Sequence, residues 1–300
     1  MGCVELRPYQ QLIGKWRGTP YEVIKKIGQG GFGQVYLVRN LNTGGLYALK
    51  MTNDNISINR EYQLINELKN IEIVINAYEI DDLEIDGQLF YFICLDYIDG
   101  MNLDIYLKKR TISLEVILGL MVVIVEGLIK IHENGYILGD VKLDNIMLDR
   151  VTKELRIIDL GGVVKKGETI NEFTPSYDRA KWQCGSRIAA ESYDLFIVTM
   201  IIIRLIFREE FNPRVHNIND IIKKINALEL SEELKSFLIK GLLKEQQSNC
   251  FAKDLRKIYN GEKQNRQSKK KNSKFDRINI IFISSVSLLI TTTLYIMLRL

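Results

Sequence analysis

Residues 27–35 read IGQGGFGQV, and what surrounds this segment constrains the fold more than any other feature. Gly28, Gly30 and Gly33 stand in G-x-G-x-x-G spacing. Glycines let a backbone turn tightly and approach a phosphate without a Cβ clash. The same spacing opens a helix in dinucleotide-binding folds. Here the following residues are QVYLVRN and the preceding ones YEVIKKI, both β-branched or aromatic in character. The loop therefore joins two strands of a hairpin, with Phe32 at its tip and Val35 just beyond. A plain hairpin turn is the bland alternative.

The next strand-like run, YALK, ends in Lys50, seventeen residues after Gly33, where a returning strand can carry it beneath the loop. Such a lysine needs a carboxylate to hold it. The segment 57–70 reads as a helix whose apolar face is Ile58, Tyr62, Ile65 and Leu68. At about 100° per residue, Glu61 falls in the middle of that face and Glu67 nearly opposite. An inward carboxylate without a partner costs several kcal/mol or takes up a proton. Lys50 is the natural partner, and Glu61 is the expected acid.

The remaining composition narrows the field. Cys3, Cys94, Cys184 and Cys250 have neither metal nor redox spacing, which points to reduced thiols. His132 and His216 are the sole histidines, too few for a His-ligated metal or a serine-hydrolase triad. The net charge of +4 is uneven, with seven Lys/Arg against two Asp/Glu between Glu262 and Arg277. The rest of the chain is thus no basic nucleic-acid-binding domain. Residues 278–298 form twenty-one uncharged positions. At about 1.5 Å per residue such a helix crosses a hydrocarbon core. With the basic tract in front, the positive-inside rule keeps residues 1–277 cytoplasmic. The apolar runs 116–125 and 195–203 are too short to span and read as core helices. Met-Gly-Cys opens the chain, but Leu6 stands where a myristoylation pattern has Ser or Thr.

Two further motifs complete the pattern: GDVKLDN at 139–145 and IIDLGG at 157–162. With GQGGFGQV and YALK, in this order, the chain resembles a bacterial protein kinase of the eukaryotic-like (Hanks) type over residues 21–258. The resemblance implies an α+β bilobal protein-kinase fold: a small mostly-β N-lobe with one helix and a larger mostly-α C-lobe. It implies that Asp140 accepts or orients the proton of the attacking hydroxyl. Lys142 would neutralise charge on the moving phosphoryl group, and Lys50 with Glu61 would belong to the catalytic set. Asn145 and Asp159 would hold the metal. Gly28, Gly30, Gly33, Phe32, Val35, Ala48 and Lys50 would bind ATP, with Mg2+ or Mn2+ as the accompanying ion. Within the hinge-like LDYIDG and beyond it, Asp99 or Asn102 would meet the ribose or simply be solvated.

Departures from the family pattern carry information. Leu138 and Gly139 stand where His-Arg is usual, so a phosphate on the activation loop lacks its best-known anchor. FTPSYDRAKWQ, 173–183, resembles the segment ending in Ala-Pro-Glu, but Lys181 holds the glutamate position. Asn249 falls at the position of that glutamate's usual arginine partner. This corner is expected to close by apolar packing, with Trp182. Asp194 matches the aspartate that braces the catalytic loop, while His132 matches no catalytic position. Thr169 is a candidate for autophosphorylation.

The expected organisation is an N-terminal extension (1–20), a kinase domain (21–260, lobes meeting at 98–99), a basic linker (261–277) and a transmembrane helix (278–298). The expected activity is phosphorylation of Ser/Thr on proteins by a membrane-tethered enzyme not gated through a catalytic-loop arginine. The alternatives are a pseudokinase scaffold and, behind it, a small-molecule phosphotransferase of the aminoglycoside kinase type. Tract 263–277 is expected to meet anionic lipid of the inner leaflet. DNA as an activator and a homodimer are the other partner readings.

Overall fold

Side chains alternate across a strand, and that alternation decides where Lys50 points. The structure, a computed structural model, describes residues 5–30, 33–109 and 112–266. Four strands form where the sequence suggests them: β2 (Pro20–Gly30), β3 (Gly33–Asn40), β4 (Leu46–Thr52) and β6 (Gln88–Asp96). They join β1 (Gln11–Ile13) and β5 (Ala77–Ile85) in one antiparallel sheet of order β1-β2-β3-β4-β6-β5. Leu49, Met51, Phe92 and Cys94 pack with Tyr36, Val38 and Leu12 in one apolar cluster. The intervening Ala48, Ile93 and Leu95 belong to the larger core, which continues into α1 (Asn55–Glu67) and the helical lobe. Lys50, between Leu49 and Met51, shares the direction of Ala48.

Two expected boundaries shift. The sheet begins before residue 21, because Leu6 and Leu12 are buried against its outer face and Asp81 accepts the N–H groups of Trp16 and Arg17. The helix expected at 57–70 runs from 55 to 67, since Asp54 caps it by accepting from Ile56 and Ser57 N–H.

After β7 (Gly100–Asn102) and α2 (Leu103–Lys108), the second lobe contains α3 (Leu114–Glu133), α4 (Glu191–Phe207), α5 (Ile218–Ala227), α6 (Glu232–Leu243) and α7, helical over 248–266. Twelve of the seventeen α4 residues are buried, so its apolar run is core, as its length suggests. Among the described residues no helix is long and apolar enough to cross a membrane. The expected span 278–298 lies outside the described residues, as does the basic tract from 267 on. Residues 261–266 are not linker but the end of α7, where Arg266 meets Glu115 at 2.5 Å.

Short ladders position the chemistry. β9 (Ile146–Asp149) pairs with both β7 and β10 (Leu155–Ile157), and β8 (Tyr136–Ile137) pairs with β11 (Val164–Lys165). Residues 138–145 lie between β8 and β9, and 158–163 between β10 and β11, so the two loops carrying Asp140 and Asp159 are neighbours.

Candidate active site

Lys50 leaves β4 toward α1, and its Nζ lies 2.7 Å from both carboxylate oxygens of Glu61 and 3.2 Å from Asp159 Oδ1. Glu61 is 3% exposed, on the apolar face of α1 that its spacing indicated. Glu67 turns away and receives the Tyr136 hydroxyl. Burial alone would lower the Lys50 amine; the Glu61 and Asp159 charges outweigh it and hold the amine above its ordinary value. Burial likewise opposes the Asp159 carboxylate, but the Lys50 charge and the Gly161 N–H, 3.1 Å away, keep it below the usual range. Three charges separated by up to 109 positions thus converge on one point.

Asp140 faces the same cleft. Its Oδ2 receives Lys142 Nζ at 2.6 Å and its Oδ1 the Thr174 hydroxyl at 2.7 Å. One cation and one hydroxyl thus steady the Asp140 carboxylate. A cleft of about 1070 Å³ is lined by Gly28, Gly30, Gly33, Val35, Ala48, Lys50, Asp140, Lys142, Asn145 and Asp159. Glu61 stands behind Lys50 as its holder, and Phe32 lies outside the described residues. Gly33 has φ +139°, and a Cβ there would come within 2.2 Å of Met51 O, so the loop can close over β4 only with glycine. Asn145 and Asp159 offer hard oxygen donors at the inner end of the cleft. That sparse set fits Mg2+, which completes its shell with phosphate oxygens and water.

Of the two ribose candidates, Asn102 lines the cleft, while Asp99 is drawn into an exposed ion pair with Arg150. Thr169 is exposed and held in an antiparallel bridge to Ile188.

Several groups escaped the sequence reading. Arg60, beside Glu61, donates to Val163 O at 2.5 Å and so ties α1 to the segment after Asp159. Glu172 enters the cleft, and its carboxyl is raised by burial and by the nearby Asp159 and Asp140 charges. His132, which matches no catalytic position, is 3% exposed and bonds Asp194. Lys181 is exposed, with no acidic partner among the described residues. Arg179, two residues earlier, takes up the role of cation at that corner. It is 5% exposed, donates to Ser192 Oγ and Cys184 O, and lies 3.6 Å from Glu245. Trp182 is buried as expected, with its indole N–H on Ser176 O. The corner therefore closes by both apolar packing and a displaced ion pair.

A family model described as "Protein kinase domain" matches residues 21–273. The serine/threonine-protein kinase YabT of Bacillus subtilis is 33% identical over 248 residues, covering 81% of this chain and 72% of that protein. Cyclin-dependent kinase 12 of Caenorhabditis elegans is 32% identical over 158 residues, but the match spans 21% of its length. Among solved structures, the Cydia pomonella granulovirus kinase PK-1 superposes with a TM-score of 0.62, covering 78% of this chain and 93% of that one. At 17% identity that likeness is one of fold alone.

Proposed function

This chain belongs to the protein kinase family and is a serine/threonine-protein kinase, and from that premise we propose that it uses magnesium-ATP to phosphorylate Ser and Thr hydroxyls on proteins with Lys50, Glu61, Asp140, Lys142, Asn145 and Asp159 as its working groups. The observation that carries this reading is the single point at which Lys50 meets Glu61 and Asp159, inside a cleft that also receives Asp140 and Asn145.

The roles follow from charge and position. ATP enters beneath the β2–β3 hairpin, where backbone N–H groups of the glycine loop can face its phosphates. Lys50, kept ionised and pinned by Glu61, grips the phosphates from β4. Asn145 and Asp159 would hold Mg2+, which supplies charge neutralisation on the phosphates. Asp140 orients the substrate hydroxyl and takes its proton as the oxygen attacks the γ-phosphorus. The bond to the bridging oxygen breaks, and ADP leaves. Lys142, at 2.6 Å from Asp140, offsets charge on the phosphoryl group in transit.

The activation segment supports operation without a phosphate on that segment. Ile170 is 1% exposed and packs beside Gly139, the residue standing where the family has its phosphate-gripping arginine. Backbone bonds of 2.8 Å join Gly167 to Ala189, Ala189 to Glu168 and Ile170 to Arg187. Arg187 then stacks on Phe173 at 4.0 Å and pairs with the buried Asp178 at 2.7 Å. An ordered segment needs no added charge to order it. Autophosphorylation would take Thr169, exposed and bridged to Ile188, as its candidate.

The reading extends to the membrane through sequence alone: residues 278–298 anchor the chain, and tract 263–277 meets anionic lipid at the inner leaflet. DNA binding by that tract and a homodimer remain the competing partner readings. Salt-sensitive DNA binding, lost when Lys269 to Lys271 become Ala, would displace lipid as the partner.

The test is transfer of γ-phosphate to a generic basic protein or to the chain itself, with mass-spectrometric mapping of the products. Lys50→Met and Asp140→Asn should each abolish transfer, and the mapped residues should be Ser or Thr. Wild type as silent as those variants, with Mg2+ and with Mn2+, would replace this reading with a nucleotide-binding scaffold.

A further inference from the structure

The catalytic loop is held from behind by a buried polar chain that crosses three helices. Asp194, on α4 and wholly buried, accepts the N–H groups of Leu138 and Gly139, each at 2.9 Å. Gly139 has φ +76° and immediately precedes Asp140, so these two bonds fix a left-handed turn that sets the Asp140 approach. The third donor to Asp194 is His132 Nε2 on α3, at 2.8 Å. An acceptor already facing two N–H groups requires Nε2 to carry its proton. Ser248 Oγ lies 2.6 Å from the other ring nitrogen, Nδ1. Ser248 begins α7 and is 2% exposed.

The Ser248 backbone is itself aimed. Its N–H donates to Glu191 Oε2 at 2.7 Å, and Glu191 Oε1 receives Lys166 Nζ at 2.6 Å. Lys166 follows β11 in the activation segment. One serine therefore sits where the restraint from the activation segment meets the restraint on the catalytic loop.

We propose that Ser248 is a positioning residue for phosphoryl transfer: its hydroxyl holds the His132 ring by Nδ1 at the angle from which Nε2–H reaches the Asp194 carboxylate behind the loop before Asp140. The proposal rests on the kinase reading above. Without the hydroxyl, Nδ1 loses this partner in a buried site, and the ring is free to turn away from Asp194. A turned ring weakens the Nε2–H bond, and the carboxylate that holds the loop loses its third donor.

The experiment uses the full chain as wild type, Ser248→Ala and Ser248→Thr. The readouts are kcat and KM for ATP, thermal midpoint, and imidazole 15N shifts of histidine-labelled protein. Ser248→Ala should lower kcat about tenfold, the scale of one buried hydrogen bond, with KM for ATP within about twofold because no Ser248 contact reaches the nucleotide cleft. Ser248→Thr should restore kcat. The His132 nitrogens should report an Nε2–H bonded to a carboxylate in wild type and a weaker bond in Ser248→Ala. Full kcat in Ser248→Ala, a lowered thermal midpoint with unchanged kcat, or failure of Ser248→Thr to rescue would each overturn the assignment. The imidazole readout needs no turnover and separates the two ideas. An inactive wild type with the His132–Asp194 bond present sinks the kinase reading and this role with it. An active wild type beside an unimpaired Ser248→Ala chain sinks this proposal alone.

Discussion

Ile170 lies against Gly139: a Cβ built on Gly139 would come within 3.4 Å of Ile170 Cγ2 and 3.1 Å of Gly162 O. An apolar contact thus joins the activation segment to the residue before Asp140, at a place where a side chain at 139 would be crowded and its left-handed backbone strained.

Ile170→Ala should loosen that contact and lower both stability and turnover. Losing a buried isoleucine typically costs about 2–5 kcal/mol, readable as a lower urea midpoint. The loss of turnover should persist whether or not the protein is first treated with a phosphatase. Wild-type activity should be equally insensitive to that treatment. A wild type that loses most of its activity on dephosphorylation would contradict the apolar latch.

Glu61→Gln keeps the shape of the α1 residue but removes its charge, leaving Lys50 with Asp159 as its remaining partner at 3.2 Å. A buried charge-assisted contact is worth about 1.5–3 kcal/mol, so kcat/KM should fall by roughly 10- to 150-fold. Glu67→Gln, whose carboxylate meets Tyr136 instead, should leave kcat/KM within about twofold. Steady-state kinetics on the two variants, side by side, checks the helix-face assignment.

Glu191 provides a pH-dependent prediction. Burial opposes its charge, but Lys166 and the Ser248 N–H pull its carboxyl from 4.5 down to about 2. A depressed folded-state value means that the stabilisation is fully present above the unfolded value and is lost as pH falls through the folded one. The wild type should therefore be more stable than Glu191→Gln at pH 7, by about 1 kcal/mol after allowance for solvent screening. The gap should close as the pH is lowered from about 4.5 toward about 2. Thermal midpoints measured across that window decide the matter; a gap independent of pH would deny the charge any part.

A chain begun at residue 21 should be markedly less stable than the longer one. It would lack β1 and the buried Leu6 and Leu12, and it would leave Asp81, 3% exposed, without the Trp16 and Arg17 N–H groups. Orphaning a buried acid and stripping two leucines together should cost several kcal/mol. Denaturant unfolding of the two lengths measures the difference.

Strand β5 shows why part of the fold was hidden in the sequence. Its core-facing positions are Glu79, Asp81 and Leu83, while Tyr78 is exposed, which inverts the usual alternation. Asp81 is tolerable inside because N–H groups from residues 16 and 17 reach it, and a reading of 77–85 alone cannot know that. β1, at three residues, is too short to show any period.

The amino-acid order alone settled whatever depends on local period and spacing: the glycine hairpin, the apolar strand that ends in Lys50, the helix face that selects Glu61 over Glu67, and the order of the motifs carrying Asp140, Asn145 and Asp159. Those features are legible because dihedral geometry ties neighbours to fixed directions within a few residues. Only the folded chain decided the contacts across long loops: Ile170 on Gly139, Arg60 on Val163, Arg179 beside Glu245, and Ser248 on His132 at a separation of 116 positions. Such pairs have no repeat to read. Each exists because packing brings two distant polar or apolar surfaces together.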